Sequence, residues 1–365
     1  DTRDWSSDVC SSDLSERAQE RRIHDAGVSI VEVAKSPEMA LQEKVEALNT
    51  IVDGVIEVKS SEIEDYQQIL KSVVLDIKAK HEGKHPKGLM TGFKDIDARL
   101  EGIQPSDLVI LAGRPGSGKS ALAFDIASNV AKNELVVIFT MEMSKKQVLN
   151  RILSKMSGIP GSRIRSGQLE NDEWNMLSNA IVMMKALNLV IVDTPAIDVN
   201  HAMNIVRKLS RKNKIGLAVV DYLQLMTNKQ EKGGRFEEVS SISRMLKVMA
   251  KKFCPVLALS QLSRKVEERA DKRPMLSDLR ESGQLEQDAD IIQLLYRDDY
   301  YNPDSSSKGT IEVNTAKFRE GEGGVDVLIH QLQYSRFRDI SADELSRMAY
   351  ERQQQEDESR SKKSG

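Results

Sequence analysis

Apolar positions between residues 15 and 58 recur at intervals of three and four, the period of a helix with one buried face. Ile23, Ala26, Ile30 and Val33 share a stripe, Ser36-Pro37 interrupts it, and Leu41, Val45, Leu48, Val52 and Val55 resume it. The pattern predicts a helical hairpin over 15–60, too small to bury a core alone. A third helix is predicted over 61–80, where Ile63, Tyr66, Leu70, Val73 and Ile77 form a narrow, heptad-like seam. Such a seam suits packing on the following domain or docking on a neighbouring subunit. His81 to Lys87, with Gly83 and Pro86, reads as a connection that closes this 61–87 linker.

From about residue 88 the period changes. Short apolar runs at 108–112, 136–139, 189–192, 217–220, 256–259 and 291–296 alternate with helical stretches such as 121–127, 145–156 and 239–252. Unbroken apolar runs between helices are the mark of strands buried on both faces of a parallel sheet. Residues 310–316 and 325–329 alternate instead and read as strands at the sheet edge. The reading for 88–340 is therefore an α/β domain with a mostly parallel central sheet flanked by helices. Residues 341–365 turn polar and charged, which predicts a mobile tail. Residues 1–14, DTRDWSSDVCSSDL, carry no period and look like a translated adapter scar, so they are set aside as non-native.

Composition narrows the class. Hydrophobic content of 39% and charged content of 30% suit a soluble globular protein. No apolar stretch has the length of a membrane span, and no leader opens the chain, so the expected compartment is the cytoplasm, with no membrane partner. Cys10 and Cys254 have neither metal-ligand nor disulfide-framework spacing. A net charge of −3 excludes a uniformly basic nucleic-acid binder, so any DNA contact has to be local.

The chemistry sits at predicted strand ends. Gly113-Arg114-Pro115-Gly116-Ser117-Gly118-Lys119-Ser120 matches the phosphate-binding loop G-x-x-x-x-G-K-[ST], with a strand before it and a helix after it. Its glycines let successive N–H groups face one concavity, and the helix N-terminus adds partial positive charge behind them. Lys119 would meet the β- and γ-phosphates, and Ser120 and Asp221 would hold Mg²⁺. Asp221 ends the run Ile215 to Val220, although strand-terminal aspartates are common. Glu142 follows the next strand and could polarise a water at the γ-phosphate, or be an ordinary solvated carboxylate. Gln261, ending Leu259-Ser260-Gln261, could contact the γ-phosphate or merely cap a turn. Lys229, Lys232 and Arg235 occupy a glycine-containing loop able to track phosphates without reading bases, or to serve as a solvated surface turn.

Five ordered segments carry a resemblance. Gly113 to Ser120, Thr140-Met141-Glu142-Met143, Val220 to Met226, Leu259 to Arg264 and Asp278 to Gly283, extended by Glu286 to Asp290, resemble the bacterial and phage replicative DNA helicases of the DnaB family. The resemblance covers about residues 88–338 and reaches back weakly to about residue 18, where Arg21 to Ser36 looks like the end of the family's N-terminal domain. It implies a RecA-like P-loop NTPase that assembles as a homohexameric ring, binds ATP between subunits and passes single-stranded DNA through its hole at forked DNA. Primase and a helicase loader are further candidate partners, and most of the N-terminal domain is expected to be missing. The resemblance makes Glu142 the base, Asp221 the magnesium-associated carboxylate and Gln261 the γ-phosphate sensor. It places Arg151 against the adenine, and Arg280, Glu281 and Gly283 on the DNA backbone. Lys317 and Arg319 become the pair offered to a neighbour's γ-phosphate; pattern alone would leave them as solvated strand residues.

Two departures mark a divergent, phage-type member. Phe318 stands between Lys317 and Arg319 where the family usually has Gln, and Glu320-Gly321-Glu322 replaces the usual Asn-Gly; Arg114-Pro115-Gly116-Ser117 is also atypical. The expected activity is ATP-driven 5′-to-3′ unwinding. The rivals are a RecA-like DNA-dependent ATPase of recombination or repair that separates no strands, and a DNA-binding ring that hydrolyses nothing.

Overall fold

The computed structural model describes residues 6–56, 66–82, 88–279 and 283–347. Two units divide the chain, Asp1–Pro86 and Lys87–Gly365. In the first, helix α1 (Ser6–Lys35) packs on α2 (Leu41–Ile56), and Lys44 Nζ donates to the Ala34 carbonyl across the turn. The predicted hairpin is present, but α1 begins at Ser6 rather than at 15, within the stretch set aside as non-native. Its start, Ser6-Ser7-Asp8, consists of residue types favoured where a helix begins, which a search for apolar period does not register. Helix α3 (Tyr66–His81) leaves Leu70, Val73 and Ile77 of the predicted seam exposed. Ile63 and the 83–87 connection lie outside the described residues.

The second unit is built on nine strands among the described residues: β1 Leu108–Gly113, β2 Leu135–Thr140, β3 Leu189–Val192, β4 Ile215–Asp221, β5 Val256–Gln261, β6 Ile291–Tyr296, β7 Thr310–Phe318, β8 Gly324–Gln331 and β9 Arg336–Asp339. They pair in the order β3-β2-β4-β5-β1-β6-β7-β8-β9. Pairing is parallel from β3 to β6 and antiparallel from β6 to β9. Alternate residues of the apolar runs enter opposite layers. Leu108, Ile110, Phe139, Val220 and Ala258 pack against α9 (Val199–Ser210) and α10 (Arg235–Lys252). Val109, Leu111, Ile138, Val219 and Leu259 pack against α5 (Lys119–Val130) and α6 (Lys145–Ser157). The remaining helices are α4 (Lys94–Leu100), α7 (Gly161–Ser166), α8 (Asn171–Lys185), α11 (Gly283–Asp288) and α12 (Asp298–Tyr301).

Registers fix what the sheet presents. Gly113 of β1 stands beside Gln261 of β5, and Thr140 of β2 beside Asp221 of β4. With β2, β4, β5 and β1 adjacent in that order, four strand tips fall in one row, about 15 Å long at the usual strand spacing.

Strand β9 carries no apolar run. Of Arg-Phe-Arg-Asp only Phe337 is buried, and its backbone N–H donates to Asp125 Oδ2 at 2.7 Å. The same buried Asp125 pairs with Lys155 of α6, whose ammonium also donates to Ser128 Oγ and to Asn129 Oδ1 at 3.0 Å. The tail also departs from expectation: 342–347 are helical, boxed by Ser341 and Glu344, and Arg338 pairs with Glu344 at 2.6 Å. Residues 348–365 lie outside the described residues. Removing one partner of a buried pair strands the other's charge. Lys155→Met should therefore lower unfolding free energy in urea by about 3–5 kcal/mol; a loss below about 1 kcal/mol contradicts the bracing role.

Candidate active site

The loop after β1 takes its shape from glycine. Gly116 and Gly118 have φ of 78° and 99°, and a Cβ on Gly113 would lie 2.5 Å from Ser117 Oγ. With Gly118 as its cap residue, α5 begins with no capping side chain, leaving its first N–H groups to face the concavity. Lys119 Nζ donates to the Gly113 carbonyl at 2.9 Å and to the Arg114 carbonyl at 3.4 Å. Desolvation pushes that ammonium down to about 8, against the pull of Asp221 and Glu142.

Asp221 is 1% exposed. Burial raises its carboxyl above the usual range, while the Ser120 hydroxyl, Arg151 and Lys119 oppose the shift. Its Oδ2 is buried without a hydrogen-bond partner. An orphaned carboxylate oxygen beside a serine hydroxyl, facing a phosphate loop, fits a hard divalent cation. Among the described residues no three His, Cys, Asp or Glu side chains gather to hold a metal by themselves. The remaining ligands would have to come from a bound phosphate group and water.

Lys119, Ser120, Glu142, Arg151, Asp221 and Gln261 line one cleft of about 840 Å³, its wall completed by Leu332, Gln333 and Ser335. That volume suits a nucleotide-sized ligand. Glu142 lies exposed at the rim. Desolvation lowers the Arg151 guanidinium while Asp221 and Glu142 raise it, which sets it beside the carboxylates. Gln261 is held by its backbone: its N–H donates to Gln224 Oε1 at 3.2 Å.

Several predicted residues do something else. Pro115, Gly116 and Gly118 line the cleft, whereas the Arg114 side chain turns away, donating to the Leu262 carbonyl at 2.8 Å and pairing with Glu267. Ser117 Oγ is buried against Gly113. Arg235 is a brace rather than a free cation: it pairs with Glu238 and donates to the carbonyls of Gln224 and Met226. Lys229 and Lys232 remain exposed on the loop after β4. Arg280 and Glu281 lie outside the described residues; Gly283 opens α11, and a Cβ added to it would meet nothing within 4 Å.

Lys317 and Arg319 sit at the other end of the sheet. Lys317 Nζ donates to the carbonyls of Glu286, Gln287 and Ala289, at the end of α11. Arg319 donates to the Gln287 carbonyl and pairs with Asp290 at 3.4 Å. Asp290 in turn accepts from Leu108 N–H at the start of β1, whereas Lys119 rests on Gly113 at its end. At about 3.3 Å per residue the two ends are roughly 17 Å apart. These cations do not reach the nucleotide cleft of their own chain.

Sequence reasoning missed a buttress under the phosphate loop. Arg297 Nη1 donates to the Gly116 carbonyl at 3.1 Å, while its Nε donates to Asp299 at 3.1 Å. Asp299 also accepts from Gly309 N–H and lies 3.0 Å from His330 Nε2. Burial alone would raise Asp299, but Gly309, Arg297 and His330 hold it below the usual carboxylate range. The signal to be had was position: Arg297 and Asp299 directly follow β6, as the other functional groups follow their strands.

Fold and cleft define an α/β domain of the RecA-like P-loop type with a nucleotide-sized cleft. The family model described as "DnaB-like helicase C terminal domain" matches residues 88–339, and the chain belongs to that family. It is 46% identical over 254 residues to the replicative DNA helicase DnaB of Geobacillus stearothermophilus, covering 68% of this chain and 56% of that protein. It is 40% identical over 297 residues to the replicative DNA helicase DnaC of Bacillus subtilis (strain 168), covering 80% of this chain and 65% of that one. The chain thus spans less than two thirds of either relative. Among solved structures, one described as an ATPase domain superposes with a TM-score of 0.71 at 38% identity, over 74% of this chain and 99% of that one. A structure described as that of a DnaB-like replicative helicase and its interactions with primase superposes with a TM-score of 0.76 at 35% identity, over 90% and 78%. No helix among the described residues is long and apolar enough to cross a membrane.

An ammonium at about 8 is half neutral at pH 8, and phosphate charge pulls it back to the protonated form. ATP binding should therefore draw a proton onto Lys119 near pH 8, and less so at lower pH. Calorimetry in buffers of differing ionisation enthalpy reads this directly; no buffer dependence at pH 8 contradicts it.

Proposed function

We propose that this chain is the motor part of a cytoplasmic replicative DNA helicase, hydrolysing ATP to move 5′-to-3′ along single-stranded DNA within a ring of six copies. The observation that carries it is the split between the cleft and the cations: Lys119 and Asp221 close one end of the sheet, and Lys317 and Arg319 occupy the other. Repeating the chain around a ring sets one subunit's far end against the next subunit's cleft. Arg319, 48% exposed, is the group that would leave its Gln287 and Asp290 partners to swing across such a seam, while Lys317 holds α11.

Each residue then has a task. Loop N–H groups and Lys119 hold the phosphates, and Glu142 polarises the attacking water. Ser120 and Asp221 would hold Mg²⁺, which when bound neutralises charge on the β- and γ-phosphate oxygens. Arg151 lies against the adenine and offsets charge beside the two carboxylates. Gln261 reads the γ-phosphate from the tip of β5. An arginine supplied in trans stabilises the charge that develops on the transferring group. Lys229 and Lys232, repeated around a pore, give a cationic lining that tracks phosphates, together with Arg280, Glu281 and Gly283. Primase and a loader are the partners this reading adds.

A forked DNA with a 5′ tail tests the reading. The protein should separate it in the presence of ATP and leave a fork with only a 3′ tail intact. Glu142→Gln should keep ATP binding and cut hydrolysis by about 10²–10⁴-fold. DNA-stimulated hydrolysis without strand separation favours the recombination-type ATPase; full hydrolysis by Glu142→Gln moves the base elsewhere.

A further inference from the structure

Gln224 holds the end of β5 from the side. It sits in the single 3₁₀ turn Leu223–Leu225 that follows β4. Its carboxamide Nε2 donates to Ser260 Oγ at 2.9 Å and to the Gln261 carbonyl at 3.4 Å, and its Oε1 accepts from Gln261 N–H at 3.2 Å. Both ends of one side chain are thus committed to the last two residues of the strand that carries the γ-phosphate reader.

The backbone of the same residue is held from the opposite direction. Arg235 donates to the Gln224 carbonyl with one guanidinium nitrogen, and with another to the Met226 carbonyl and to Glu238. Glu238 Oε1 accepts from Asn228 N–H at 3.0 Å, and Asn228 Nδ2 donates to Ser241 Oγ at 2.8 Å. The loop bearing Lys229 and Lys232 is therefore closed at both ends by groups that converge on Gln224, while those two lysines stay exposed.

We infer that Gln224 and Arg235 form the mechanical link between nucleotide and DNA, resting on the proposed motor reading. Hydrogen bonds hold over a window of a few tenths of an ångström. A shift of Gln261 as the γ-phosphate arrives or leaves repositions the Gln224 carboxamide. The turn moves with it, and Arg235 transmits the movement to both ends of the lysine loop. Arg235 is a positioning residue here; its charge is spent on Glu238 and two carbonyls. Linkage is reciprocal, so the same link lets DNA on the loop tighten nucleotide at the cleft.

The test measures binding of a fluorescent oligothymidylate with and without a non-hydrolysable ATP analogue, in the full chain. Wild type should bind it more tightly with the analogue, by a factor in the usual allosteric range of about 5–150. Gln224→Ala and Arg235→Lys should each reduce that factor to within twofold of unity and keep analogue-free DNA affinity within threefold of wild type. Arg235→Lys retains the charge, so it separates a link from a phosphate contact and guards against a misfolded Gln224→Ala. The double variant should be no worse than either single, because both cut one path. Undiminished coupling in Gln224→Ala or Arg235→Lys overturns the link. Loss of analogue-free DNA affinity in Arg235→Lys makes Arg235 a DNA ligand and also overturns it. A wild type that binds no oligothymidylate sinks the motor reading itself.

Discussion

A carboxylate buried with one oxygen unpaired is the constraint on which the rest of this molecule depends. Asp221 is held out of water at the tip of β4, and the charged form is costly there unless something positive meets it. Lys119, Arg151 and the Ser120 hydroxyl all act on it, yet Oδ2 is left over. Lys119 meanwhile rests on loop carbonyls with its own charge weakened by burial. Each group is therefore poorly satisfied alone, and a polyphosphate with its cation would satisfy all of them. The parallel sheet makes this possible, because it brings Thr140, Asp221, Gln261 and Gly113 to one edge and leaves no freedom to spread them.

The same sheet underlies the proposed sharing of the site between copies. Strand β7 runs against β6, so its end lies beside the beginning of β6 and not beside the cleft. Lys317 and Arg319 are carried to the edge where β1 starts, next to Asp290. On the proposed reading, the cation that joins Lys119 and Arg151 at the γ-phosphate comes from another copy. In the proposed ring, hydrolysis would be conditional on how two copies meet, which would turn nucleotide energy into relative movement.

Much of this was legible in the sequence, and the reason is local. Strands buried on both faces are unbroken apolar runs, so β1 to β6 stood out, and the phosphate loop is defined by spacing within eight residues. What stayed hidden depends on partners distant in sequence. Arg114 meets Glu267, and Arg297 meets Gly116, only because the sheet order places β5, β1 and β6 side by side. Arg235's bracing of Gln224 and Met226 was not legible, because position shows a charge and not the carbonyls and carboxylate it meets. Strand β9 was invisible because four residues with one buried side chain carry no period. The first turns of α1 and the helical 342–347 went unread because polar helices announce themselves by capping rather than by apolar spacing.

Completion of the cleft by a neighbour is tested most directly by mixing two inactive forms. Lys119→Ala removes the phosphate ligand and leaves Arg319; Arg319→Ala leaves the loop and removes the cation. Co-expressed, the two can meet so that an intact loop faces an intact arginine at about a quarter of random seams. ATP hydrolysis, lost in each variant alone, should return in the mixture. A mixture as inactive as its two components would contradict a site shared between copies.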